Sequence, residues 1–260
     1  MVTQQDEVVS QPLTSRLIRW EIFVVFAVSL GASGLYAFVE LIGSLTASQS
    51  LGKQTATLNG SLAPGRPTLD LFLQLTNILL GLAPVALVLY LLARSGESRK
   101  DIGVDLTQPG WDLAKGATLA ALIGGSGLGL YLIAFKSGIA LNVVAESLPD
   151  VWWRIPVLVL SAAQNGALEE VVVLGYLIRR LDQLGLKPHW QIAISAVLRG
   201  SYHLYQGFGG FIGNAIMGTI FGFLYKRWGR VTPMIIAHTL IDTGAFVGYA
   251  VLHGHVSWLP

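Results

Sequence analysis

The sequence predicts an all-α, polytopic transmembrane bundle of about seven helices, with room for an eighth broken or re-entrant element. Three observations carry this. Of the 260 residues, 53% are hydrophobic and only 12% are charged, about half the charged share of soluble domains. Mean hydropathy is +0.60. The apolar residues fall in runs near the ~20 residues that a membrane-crossing helix needs. Lipid hydrocarbon leaves no water for backbone N–H and C=O groups, so such runs are read as helices.

The runs are Trp20–Leu45, Leu69–Ala93, Trp111–Phe135, Val151–Ile178, Trp190–Tyr205, Gly210–Tyr225 and Pro233–Leu252. Residues 1–19 are mostly polar at first and read as a cytoplasmic tail; the run after them is too long for the core of a signal peptide. Residues 46–68, rich in Ser, Thr, Gly and Leu, read as a flexible extracytoplasmic connector. QGFGG at 206–210 is a glycine-rich reversal that can sit within the membrane. The pairs Gly125/Gly129 and Gly218/Gly222 have the spacing that lets helices approach closely.

Positive charge tests this layout. Alternate loops and their flanks hold Arg16, Arg19, Arg94, Arg99, Lys100, Lys115, Arg179, Arg180, Lys187, Lys226, Arg227 and Arg230 on one side. The other side holds Lys53, Arg66, Lys136 and Arg154. Seven crossings with a cytoplasmic N-terminus, in the cell membrane, fit that bias. Net charge is +2, which argues for no nucleic-acid partner; the partners expected are the bilayer and a hydrophobic peptide or membrane protein. Without cysteine, disulfides, thiolate metal sites and a Cys nucleophile are excluded.

Glu21, Glu40, Asp70, Asp112, Lys115 and Arg154 fall near run ends, within reach of water. Glu169, Glu170, Arg199, His203, His238 and Asp242 lie deeper. Intramembrane ionisable groups face the bundle interior and mark functional sites. The alternative is a polar network that only fixes packing, and six groups gathered on three runs weaken it. Arg199/His203 and His238/Asp242 are each four residues apart and so share a helix face. Glu169 and Glu170 are ~100° apart around a helix. One would address a reaction centre and the other a neighbouring helix, with Gly166 leaving room beside them. A rise of 1.5 Å per residue puts Glu169 ~15 Å from Arg179 and His238 ~12 Å from Arg230, but His203 ~24 Å from Lys187. This places the site in the cytoplasmic half, with His203 discordant.

A carboxylate and an imidazole can deprotonate water, and a further His can donate to an oxyanion. No cofactor is needed for that. A divalent metal such as zinc on Glu169, His203 and His238 would serve the same reaction. A proton relay is a third use, although the repeats and interrupted helices of transporters are not seen. Ser201 sits on a different face from His203, which disfavours serine catalysis, and HExxH is absent.

The order of EEVVVL (169–174), RGSYH (199–203) and HTLID (238–242) resembles the CPBP family of intramembrane proteases. That group includes the type II CAAX prenyl endopeptidase and bacteriocin-processing or immunity (Abi) proteins. Its motifs are EExxxR, (F/Y)xxxH and HxxxN or HxxxD. The resemblance covers 151–255 as a catalytic core, leaving 20–136 as helices without a motif. It implies that Glu169 and His203 activate water, that His238 and Asp242 stabilise the oxyanion, and that Glu170 supports them; family descriptions leave metal use open. Two positions depart. Leu174 replaces the motif arginine and Arg199 replaces the motif aromatic. A buried carboxylate needs a partner, so Arg199 is expected to supply the missing cation to Glu170. The lost arginine also raises a second reading, a catalytically silent scaffold or immunity protein on the same fold.

Overall fold

The computed structural model describes residues 13–256; residues 1–12 of the expected tail lie outside them. The chain is a helical bundle, as its composition predicts. The helices are α1 (Ser15–Ala27), α2 (Leu30–Thr46), α3 (Pro67–Gly81), α4 (Ala83–Arg94), α5 (Pro109–Lys136), α6 (Arg154–Glu169), α7 (Leu177–Gln183), α8 (Pro188–Ser201), α9 (Phe208–Trp228) and α10 (Thr232–Leu252). Proline in the first turn opens α3, α4, α5, α8 and α10, where its missing N–H costs no helical bond.

Five stretches are long and apolar enough to cross a membrane: Pro67–Arg94, Pro109–Lys136, Arg154–Gln183, Phe208–Trp228 and Thr232–Leu252. Helices α1 and α2 make a sixth if taken as one span bent by 51°. The bend falls at Ser29, whose hydroxyl bonds back to the Val25 carbonyl at 2.5 Å, a type of contact that bends helices.

The fifth run, Trp190–Tyr205, is helical only in part. Helix α8 has 14 residues, ~21 Å long, against a hydrocarbon core of ~30 Å. Its path continues as irregular chain. Gly207, at φ +88°, bridges Ala140, and the Leu141 N–H donates to the Gln206 carbonyl at 3.1 Å. A Cβ on Gly207 would meet the Ala140 backbone at 3.1 Å, so both the turn and the close approach require glycine. Irregular backbone is tolerated at depth when other protein groups satisfy it.

The connector at 46–68 is structured, contrary to expectation. Thr55–Gly60 (β1) pairs in parallel with Asn142–Ser147 (β2), aligning Ala56 with Val143 and Asn59 with Glu146. Two strands alone are marginal. Side chains tie this pair down: Asn59 Nδ2 donates to the Ala145 carbonyl at 2.9 Å, and Gln74 of α3 to Gly60 at 2.9 Å. The alternation in QTATLNG is a strand signal outweighed in the reading by its Gly and Ser neighbours.

Buried ion clusters fix the opposite end. Arg180, fully buried, bonds Glu21 at 2.7 Å, Glu97 at 2.8 Å and the Leu91 carbonyl at 3.2 Å. Arg230 bonds Asp112 at 2.6 Å and Asp105 at 2.9 Å. The guanidinium holds the Asp105 carboxyl well below the usual range. Glu21 and Asp112, expected to reach water, are instead buried partners that lock loops to helices. Glycine spacing reads correctly on one helix and not on the other. Gly218 and Gly222 meet Ala196 and Ile192 of α8, whereas Gly125 and Gly129 face no atom within 4 Å.

Candidate active site

Helix α6 passes without a break into a π-helical segment, Glu170–Tyr176, and then α7. π-Bulges gather at functional sites. Here the segment begins one residue after Glu169. It holds the β-branched run Val171–Val173, and the Ser195 hydroxyl of α8 donates to the Val173 carbonyl at 3.3 Å. Gly166 leaves room beside the glutamates, as its position suggested, and α10 fills it. A Cβ there would meet the Thr239 hydroxyl at 2.6 Å and the Ile235 carbonyl at 3.0 Å. The glycine lets α10 approach α6, which brings His238 against Glu170.

The glutamates divide as their angular offset implies. Glu170 is fully buried among α6, α8 and α10. It accepts from Arg199 at 2.8 Å and from His238 Nδ1 at 2.7 Å. Glu169 lines a cavity of about 1110 Å³. Its Oε2 accepts from the Tyr202 hydroxyl at 2.7 Å and from Arg199 at 3.2 Å. Arg199 thus spans both carboxylates from α8, and its guanidinium lies 5.7 Å from the centre of the Phe221 ring. Leu174, in the motif arginine's place, is buried in an apolar cluster that also contains Phe221.

His203 lines the same cavity. Its Nδ1 is 2.9 Å from the Arg199 carbonyl. A carbonyl only accepts, so Nδ1 carries the proton and Nε2 is left as an acceptor. Asp242 is 3.6 Å from His238 Nε2 and accepts from Asn165 Nδ2 at 3.2 Å. The structure therefore joins Glu169, Glu170, Arg199, His238 and Asp242 in one network. It places His203 on the same cavity, linked to that network through the Arg199 backbone.

Among the described residues no group of three His, Asp or Glu side chains is disposed to hold a metal ion. The place between the glutamates is taken by the Arg199 guanidinium, and His238 Nδ1 is committed to Glu170.

The cavity's lining shows on which side of the site it extends. Leu58 and Asn59 of β1 and Val143 and Ala145 of β2 line it, with residues 124–128 of α5 and Gly209, Gly210 and Gly213 of α9. No lining residue belongs to the Arg180 or Arg230 clusters. The space runs from the site toward the sheet-bearing end, away from the positive-charge-rich end. The discordant His203 figure has a local reason: that residue lies past the end of α8, next to the turn that meets Ala140, so a straight-helix rise does not apply to it.

Two lining residues escaped the sequence reading. Tyr202 adjoins His203 in the second motif, and Asn165 is one helical turn before Glu169. Both are uncharged, so a search for buried charges passes over them.

Residues 151–244 match the family model described as Rce1-like, type II CAAX prenyl endopeptidase Rce1-like. The match is consistent with the CPBP family. It spans α6 through the first half of α10, and with it the whole Glu–Arg–His network. No curated protein and no solved structure matches the chain. Apolar spans and the Rce1-like match together support a membrane protein of CAAX protease-like character.

Proposed function

We propose that the protein is a membrane-embedded endopeptidase in which Glu169 and His203 activate water against a peptide bond. The observation that carries this is the clamp on Glu169. Two donors hold its Oε2, while the residue lines the cavity that also contains His203. Oε1 then serves as the base. Water set between Oε1 and His203 Nε2 gives its proton to Glu169 as its oxygen bonds the carbonyl carbon. The tetrahedral intermediate collapses when Glu169 returns that proton to the leaving nitrogen and the C–N bond breaks. Glu170 and Arg199 hold the base in place, and His238 lies beside the reacting carbonyl. The side-chain arrangement favours this metal-free route.

With the N-terminus cytoplasmic, as the charge bias supports, the cavity opens toward the outer face. The substrate would be a hydrophobic peptide or membrane-protein segment. Apolar and small residues dominate the walls at α5 and α9, which favours an apolar chain.

One observation favours a silent scaffold. Arg199 pairs with Glu169 as well as Glu170, and a carboxylate tied to a guanidinium is a weaker base. Turnover by the purified protein in nanodiscs decides between the two. Positioned general bases contribute ~10²–10⁴-fold. Glu169→Gln and His203→Ala are expected to lose at least that, with folding intact. A folded Glu169→Gln protein that retains activity defeats the proposal.

A further inference from the structure

We propose that Asn165 donates the side-chain hydrogen bond that stabilises the oxyanion, with Asp242 as its positioning residue; this rests on the hydrolytic reading above. Attack of water on a peptide carbonyl places negative charge on its oxygen, and N–H donors fixed nearby are what lower that barrier. The donors of the charged network itself are largely committed. Arg199 is fully buried and does not line the cavity. His238 gives Nδ1 to Glu170, and its Nε2 faces Asp242. An ionised Asp242 only accepts.

Asn165 differs on each count. It lines the cavity together with Glu169, His203 and Asp242. It lies four residues before Glu169 on α6, so the two side chains share a face. Its Nδ2 is 3.2 Å from Asp242 Oδ2. Because a carboxylate accepts, the Nδ2 end of the amide is turned toward Asp242. A primary amide has two N–H groups, and among the described residues this side chain makes no other hydrogen bond. Asp242 takes one hydrogen and fixes the plane. The second remains for a substrate oxygen seated beside Glu169. Asp242 thus acts through Asn165 and His238 and does not itself donate.

The test uses the full chain in nanodiscs with fluorescently labelled casein as an unfolded polypeptide probe. Asn165→Ala is expected to lower kcat ~10²–10³-fold, the range for loss of one oxyanion donor, with KM and melting temperature little changed. Asn165→Ser, which keeps a donor, is expected to fall between. Asn165→Ala combined with Asp242→Asn places an amide on α10 instead, and is expected to recover ~10-fold or more of the loss. A residue that only packs would lower the melting temperature and would not be rescued by a change at Asp242. Undiminished kcat in Asn165→Ala, or a loss that neither partner variant moderates, overturns the inference alone. Failure of the unaltered protein to cleave casein, with no binding of a hydrophobic peptide aldehyde whose hydrate resembles the intermediate, overturns the hydrolytic reading and this inference with it.

Discussion

Arg199→Met removes the one cation among the described residues that touches both glutamates and leaves the rest of the site in place. The guanidinium makes a 2.8 Å bond to Glu170 and a 3.2 Å bond to Glu169, and it is fully buried. Glu170 is also fully buried and retains only His238 as a partner once Arg199 is gone. Breaking a buried pair by removing one member costs about 3–5 kcal/mol, because an uncompensated charge remains. Methionine fills much of the volume against Phe221, so the packing loss is small. Part of the arginine is not satisfied: its Nε–H has no partner, which argues for the lower half of that range. Arg199→Lys restores charge but not the two-pronged geometry and is expected to recover less than half. The assay is equilibrium unfolding in mixed micelles, followed by tryptophan fluorescence. Glu170→Gln in the Arg199→Met background should cost little more, since the two act as one unit. A loss below ~1 kcal/mol for Arg199→Met, the value of an exposed pair, or full additivity of the two changes, would refute the reasoning.

Further expectations concern other parts of the account. Tyr202→Phe removes the 2.7 Å bond to Glu169 and frees the base to rotate. Hydrogen bonds to charged groups contribute about 1.5–3 kcal/mol, so kcat should fall ~10–100-fold in the casein assay with KM retained. Chelators such as EDTA or phenanthroline are expected to leave turnover unchanged, because Arg199 occupies the position a metal would need; loss of activity restored by zinc would contradict that. Arg230 lowers the pKa of Asp105 in the fold. Its stabilisation is therefore complete above the unfolded value of ~3.9 and is lost as pH falls below it. Asp105→Asn should flatten that part of the stability–pH profile, measured by thermal unfolding between neutral and acidic pH.

The helical bundle was legible because hydropathy and lysine–arginine bias report directly on lipid and leaflet. So were the groups that converge, since a charge in an apolar run has few reasons to be there. Three things were not legible. The strand pair β1–β2 depends on pairing between segments more than 80 residues apart, and its Gly and Ser content reads locally as a linker. The shortness of α8 is hidden because the apolar run continues through Tyr202–Tyr205, where the chain tightens into i→i−3 turns before Gly207 meets Ala140. The direction of the cavity depends on where α5 and α9 leave space, and distances counted from arginines along single helices do not contain that. The Arg199 contacts were inferable for a different reason: two carboxylates in a bilayer demand a cation, and the sequence offers one at helical reach.

The most direct test of the central claim is turnover of Glu169→Gln against the unaltered protein, both in nanodiscs and both shown to unfold cooperatively. The unaltered protein is expected to cleave labelled casein or a hydrophobic peptide, and Glu169→Gln to lose at least ~10²-fold in kcat with substrate binding retained. Equal turnover by the two proteins would contradict it.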